Sequence, residues 1–208
     1  MLKYNRSLTI IVVIILIISA VFISYFYFFH DSQRNVPVFN EDYKFVTIEG
    51  EEHIETSDGW TFDINPRQNY TLEGIVLGHL YYKTNDRPYR PINYFSPIDI
   101  WVGIDDISED PSKYEYEINS FHDRDITWYV QDHYDYFQSH TGLNHLIPHN
   151  EEVHKKLMNL EDKDRFRLEG QIVEPYGTRG DEYYNWPSDN DIGDYDCEVI
   201  LVDSFEIL

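Results

Sequence analysis

The sequence predicts a mainly β domain, with helix as a minor part, closing as a small barrel behind an N-terminal transmembrane helix. Three observations predict it. Residues Leu8 to Phe29 form an uncharged run of 22 residues; short segments rich in aromatic and β-branched residues recur from Phe45 onward, bounded by Gly, Pro, Asn or Asp; and long strand-like stretches carry a glycine at mid-length.

A helix over Leu8–Phe29 would span roughly 33 Å, enough to cross a bilayer. Its outer end is aromatic (Tyr25 to Phe29), and Lys3 and Arg6 precede it, so the positive-inside bias places residues 1–7 in the cytoplasm as a stub. The apolar core is longer than that of a cleaved leader, and Ala20, the only alanine, cannot supply an A-x-A cleavage site. The expectation is a signal anchor over 8–29, a polar tether over 30–42 containing Pro37, and an extracytoplasmic domain over 43–208. The cell membrane, crossed once with the domain outside, is the expected location.

The chain carries 16 Lys plus Arg against 38 Asp plus Glu, a net charge of −22. Residues 1–30 hold Lys3, Arg6 and no acid, so the domain is more acidic than the chain as a whole. Such a surface repels phosphates, and no nucleic acid partner is expected. The single cysteine, Cys197, excludes an internal disulfide, a zinc ribbon and a C-x-x-C redox site. There is no P-loop, G-x-S-x-G, dinucleotide fingerprint or EF-hand.

Strands are expected at Phe45–Ile48, Trp60–Ile64, Tyr70–Tyr82, Lys113–Ile118, Ile126–Val130, Phe166–Val173 and Glu198–Val202. Phe166, Leu168, Gly170 and Ile172 alternate with Arg167, Glu169 and Gln171, which splits that strand into an apolar and a polar face. Ser96–Trp101 fits a strand or a helical turn equally well. Asn150 is a good N-cap, with Glu151 and Glu152 in the first turn and Val153, Leu157 and Leu160 on one face, so a helix follows Pro148. Tyr70 to Val76 and Arg167 to Val173 share a Leu-Glu-Gly core. The string fits a five-stranded OB-like barrel: Tyr70–Tyr82, a strand within Pro97–Ile118, Ile126–Phe137, the helix, Arg165–Glu174 and Cys197–Ile207.

Six stretches from about residue 57 onward resemble a family of bacterial membrane-anchored or exported proteins with no assigned function. They are Trp60-Thr-Phe-Asp, Asn69-Tyr-Thr-Leu-Glu-Gly, Ser96-Pro-Ile-Asp-Ile, Asn144-His-Leu-Ile-Pro-His-Asn, Asp164-Arg-Phe-Arg-Leu-Glu-Gly and Gly193-Asp-Tyr-Asp-Cys-Glu. The resemblance implies a shared fold and brings no reaction, ligand or cofactor.

Candidate chemistry is sparse. His133, His140, His145, His149 and His154 fall within 22 residues, but the spacing matches neither H-E-x-x-H nor H-x-x-E-H, and loop histidines are the commoner outcome. A weak Zn²⁺ site would use His145 and His149; a weak Ca²⁺ site would use Asp189, Asp191 and Asp194. Cys197 with His145 is the arrangement a thiol hydrolase would need, although Asp194, Asp196 and Glu198 disfavour a thiolate. The connection Tyr176–Tyr195 lies between the last two barrel strands, where OB-like barrels bind, and offers Arg179, Tyr183, Tyr184 and Trp186 to a protein or a glycan. The reading is a binding domain without a cofactor; the alternative is a metal-dependent or thiol hydrolase using His145 and its neighbours or Cys197.

Overall fold

The computed structural model describes residues 18–20, 36–86, 89–188 and 197–208. Apart from 18–20, which are helical, the apolar run Leu8–Phe29 lies outside the described residues, as do the stub before it and the start of the tether. Among the described residues no helix is long and apolar enough to cross a membrane. The chain divides into two compact units, Met1–Asn35 and Val36–Leu208, and the second is described below.

Strands dominate this unit. In chain order they are β1 (Tyr43–Ile48), β2 (Glu51–Thr56), β3 (Thr61–Asp63), β4 (Pro66–Tyr81), β5 (Ile98–Gly103), β6 (Tyr116–His122), β7 (Asp125–Val130), β8 (Thr141–Pro148), β9 (Arg165–Val173), β10 (Tyr176–Arg179), β11 (Glu182–Asn185) and β12 (Cys197–Ile207). Three short helices interrupt them: α1 (Asp105–Glu109), α2 (Tyr134–Ser139) and α3 (Glu151–Leu157).

Five strands close a barrel in the order β12-β8-β5-β4-β9. Neighbours run antiparallel except β8 and β12, which are parallel. Alternation explains the two faces. Ile98, Ile100 and Val102 of β5, Leu146 of β8, Phe166 and Leu168 of β9, and Ile200 and Val202 of β12 share the interior cluster. Val153, Leu157 and Leu160 join that cluster from α3 and the turn after it, so the helix seals the barrel interior. Asn150 caps α3 by accepting the Val153 N–H at 3.0 Å. Asn150→Ala is expected to cost about 1 kcal/mol in urea unfolding.

The Leu-Glu-Gly echo has a geometric meaning. Leu72 and Leu168 face each other across β4 and β9; Gly74 stands opposite Phe166, and Gly170 opposite Tyr70. The two glycines thus sit symmetrically about one antiparallel pair. A Cβ on Gly74 would meet the Gly103 carbonyl oxygen at 2.7 Å, and one on Gly170 would meet the Leu201 carbonyl oxygen at 2.1 Å. Each glycine lets a neighbouring strand approach closely enough for the barrel to close.

Two outer layers cover the barrel. A five-stranded sheet in the order β1-β2-β3-β10-β11 packs Ile54, Trp60 and Phe62 against Ile147, Val199 and Leu201. The β6–β7 hairpin packs Trp128 on Trp101, with ring centroids 5.7 Å apart, and Phe137 of α2 completes that cluster.

The structure corrects the expected strand assignment at one point in the barrel. Its third strand is Thr141–Pro148, whereas Ile126–Phe137 divides between β7, outside the barrel, and α2. Ser96–Trp101 resolves as the entry to β5, and Tyr176–Asn185, expected as loop, forms the β10–β11 hairpin.

Candidate functional site

A cleft of about 720 Å³ opens between β2 and β3 on one side and the start of β4, the end of β9 and the middle of β12 on the other. Its walls carry Glu51, Glu52, Asp63, Glu174 and Asp203, against Arg67, His53 and His149. Arg67 is already paired with Glu174, and His53 Nδ1 lies 2.8 Å from Asp63 Oδ1. Acidic side chains outnumber basic ones in the cleft, but Glu174 is engaged by Arg67, Asp63 by His53, and Glu52 and Asp203 by His149.

Asp203 faces the cleft by regular alternation, on the same side of β12 as Val199 and Leu201, and β12 bulges at this point. Val202 pairs with Gly170 and Ser204 with Glu169, leaving Asp203 as the extra residue between them. The bulge shifts the alternation beyond it, so that Phe205 rather than Ser204 returns to the barrel interior, and it lies beside the close approach at Gly170. The corner after β8 fixes it further. His149 N–H donates to the Val202 carbonyl at 3.1 Å, and Asn150 Nδ2 donates to the Asp203 carbonyl at 3.3 Å.

His149 then bridges two carboxylates. Its Nδ1 is 2.6 Å from Asp203 Oδ1 and its Nε2 is 3.0 Å from Glu52 Oε2. Partial burial by itself would lower its pKa, but the hydrogen bonds to Asp203 and Glu52 and their charges outweigh this, so the net displacement is upward from 6.5.

A second polar constellation is sealed. Asp99 and His145 face each other across β5 and β8 on the barrel's outer face, with His145 Nδ1 2.8 Å from Asp99 Oδ1. Arg124, at the second position of the Asp123-Arg124 turn between β6 and β7, covers them. Both turn residues have positive φ (54° and 65°), the backbone that a two-residue hairpin turn of the primed type requires. Nη1 donates to Asp99 Oδ1 at 2.6 Å and Ser96 Oγ at 3.0 Å; Nη2 donates to Asn93 Oδ1 at 3.0 Å and to the Ser96 carbonyl at 2.5 Å. The guanidinium lies 3.7 Å from the Tyr82 ring centroid and 5.4 Å from that of Trp186. Side-chain exposures are 0 % for Asp99, 2 % for His145 and 3 % for Arg124. Complete burial would raise the Asp99 pKa, but the charges of Arg124 and His145 and hydrogen bonds from His145 and Tyr82 reverse this and hold it low.

The residues singled out in the sequence are placed as follows. Trp186 is buried, its ring 4.9 Å from that of His145. Arg179 pairs with Glu182 and Asp58 and lies 4.9 Å from the Trp60 ring centroid. It ends β10, and the Arg179-Gly180-Asp181 tripeptide begins the hairpin turn, with Gly180 at φ 59°. Tyr184 packs partly against the core, whereas Tyr183 is 74 % exposed. Cys197 lines a small cavity of about 80 Å³ with Trp101, Trp128, Thr141 and Leu143, to which His145 does not contribute. The histidines disperse: His140 stacks on Tyr136 at 3.9 Å, His154 Nε2 donates to the Pro37 carbonyl at 2.8 Å, and His133 precedes α2 in a left-handed backbone conformation without a side-chain capping bond. Among the described residues no group of three or more His, Cys, Asp or Glu is placed to hold a metal ion. Asp189, Asp191 and Asp194 lie outside the described residues.

Sequence reasoning missed Asp99, Arg124, Glu52 and Asp203. For Asp99 a signal existed: it is the lone charge within the apolar stretch Pro97–Val102. For the others there was none, because their partners lie far away in sequence and a charged side chain reads the same whether it is exposed or paired.

Fold and site together define a closed-barrel β domain with an open acidic cleft. No protein family matches the chain, and neither a curated protein nor a solved structure is significantly similar to it.

Proposed function

We propose that the chain is a single-pass membrane protein displaying an OB-like binding domain outside the cell membrane, and that the domain's cleft takes a cationic segment of a protein partner. The anchor and its orientation rest on the uncharged run Leu8–Phe29 behind Lys3 and Arg6. The OB-like reading is supported by three consecutive antiparallel strands, a helix after the third, and a last strand parallel to the third. In such barrels the outer face of the second and third strands is a usual binding face. Here that face, β5 and β8, is filled by the chain's own Arg124 and Trp186.

The carrying observation is the open cleft of about 720 Å³ beside β9 and β12, whose walls hold five carboxylates against Arg67, His53 and His149. Ammonium and guanidinium groups fit such walls through charge-assisted hydrogen bonds, and the negative field speeds their encounter. The supporting result is saturable binding of a lysine- and arginine-rich peptide to the full chain in nanodiscs, measured calorimetrically, weakening with salt. Glu51→Gln, Glu52→Gln and Asp203→Asn combined should lower the affinity by about tenfold. Equal affinity for a glutamate-rich peptide, or no loss in the triple variant, would overturn the reading.

The hydrolase alternative places a general base at His145. The structure gives His145 a carboxylate partner, Asp99, but seals both from solvent and sets Cys197 in a separate cavity.

A further inference from the structure

His149 joins two layers of the fold. Its backbone belongs to the corner after β8, hydrogen-bonded to β12, and one ring nitrogen meets Asp203 of β12. The other meets Glu52 of β2, which belongs to the outer sheet. Glu52 sits beside the tip of the β1–β2 hairpin, whose two-residue turn is Glu49-Gly50 with φ 54° and 94°. A neutral imidazole has one N–H and can satisfy one carboxylate; the second would face a nitrogen lone pair. Both contacts are attractive only in the imidazolium.

We propose that the proton on His149 clasps the tip of the β1–β2 hairpin to the barrel, and that its loss as the pH rises releases the tip and widens the cleft. The other groups facing His149 do not substitute for it. From β1 the neighbour is the uncharged Phe45 ring, 4.8 Å away. On α3, Glu151 and Glu152 are paired with Lys155 and Lys156. Elsewhere around the cleft, Arg67 is held by Glu174 and His53 by Asp63, and Glu51 adds a further negative charge. Without the proton, Glu52 faces Asp203 with no cation between them. The opposite end of the hairpin stays fixed, because Tyr43 and Ile54 are buried in the core cluster. His154 also holds the Pro37 carbonyl through an Nε2–H that is present in either protonation state. Release is thus confined to the tip.

The clasp does not depend on what the cleft binds, so its failure would leave the cation-binding proposal standing. The test is hydrogen exchange by mass spectrometry on the full chain in detergent micelles at about pH 5.5 and about pH 8.5, corrected for intrinsic rates. Peptides covering residues 45–53 should lose protection by about tenfold at the higher pH, while β5 and β8 peptides hold theirs. His149→Gln should show the unprotected tip at both pH values, and Glu52→Gln should lose the pH dependence as well. A tip equally protected at both pH values in the wild type overturns the clasp, as does unchanged pH dependence in His149→Gln or a loss spread evenly over the barrel.

Discussion

Arg124→Ala is expected to destabilise the domain by about 3–5 kcal/mol, because it removes one member of a buried ion pair and leaves the Asp99 carboxylate uncompensated. Asp99 sits on an all-buried strand, and the guanidinium supplies it a charge-assisted hydrogen bond at 2.6 Å. The loss extends further: Asn93 and Ser96 lose donors, and Tyr82 and Trp186 lose the cation between their rings. Arg124→Lys tests the geometry apart from the charge, since an ammonium cannot reproduce the fork that reaches Asp99, Asn93 and Ser96 together. It should fall between wild type and alanine in urea unfolding. Converting Asp99 to Asn in the Arg124→Ala background should recover part of the loss, because contacting partners are not additive. The pH dependence has a fixed sign. The Asp99 pKa is lowered on folding, so its contribution is present above the unfolded carboxylate value and is lost as the pH falls through the folded one.

Gly170→Ala is the second large effect. The methyl would stand 2.1 Å from the Leu201 carbonyl oxygen, 3.0 Å from its carbon and 3.1 Å from Val202 Cα. All three obstacles are backbone, so no rotamer change relieves them, and β12 must move away from β9. The cost should exceed the about 1–3 kcal/mol of ordinary overpacking. It should also disturb the adjacent bulge and with it the Asp203 carboxylate at the cleft. Gly180→Ala is the comparison: φ is 59° with nothing within 4 Å, so only backbone strain opposes it, at about 1 kcal/mol. Similar melting temperatures for the two variants would contradict the account of barrel closure.

The barrel was readable where local physics and tertiary environment agree. The alternation over Phe166–Val173, the Asn150 cap and the mid-strand glycines each mark their element directly, and the Leu-Glu-Gly echo reports a paired geometry. The third barrel strand was not readable. Thr141–Pro148 contains Gly142, Asn144, His145 and Pro148, a poor strand composition, yet all eight residues are buried. Its polar side chains are accommodated because β5 brings Asp99 opposite His145 and Asn144 Nδ2 donates to the Gly142 carbonyl at 3.2 Å. Conversely, Ile126–Phe137 has strand-like composition because β7 and α2 contribute to an aromatic cluster outside the barrel. The composition of Tyr176–Tyr195 predicts aromatics offered to a partner. The fold instead buries Trp186 as part of the cover over His145, and leaves the open space beside β2 and β12. Glu52 and Asp203 come together there only because the outer sheet meets β12 at His149, a juxtaposition with no local signature.

Where a cationic peptide lands is the most direct test of the central claim. Hydrogen exchange on the full chain in nanodiscs, with and without saturating lysine- and arginine-rich peptide, reads the position without assuming it. The account predicts added protection in segments spanning Glu51–His53, Asp63–Arg67, Gln171–Glu174 and Asp203, with the β6–β7 hairpin unchanged. Protection confined to the β10–β11 hairpin around Tyr183, or to the Trp128 cluster, would contradict it and place the binding surface elsewhere.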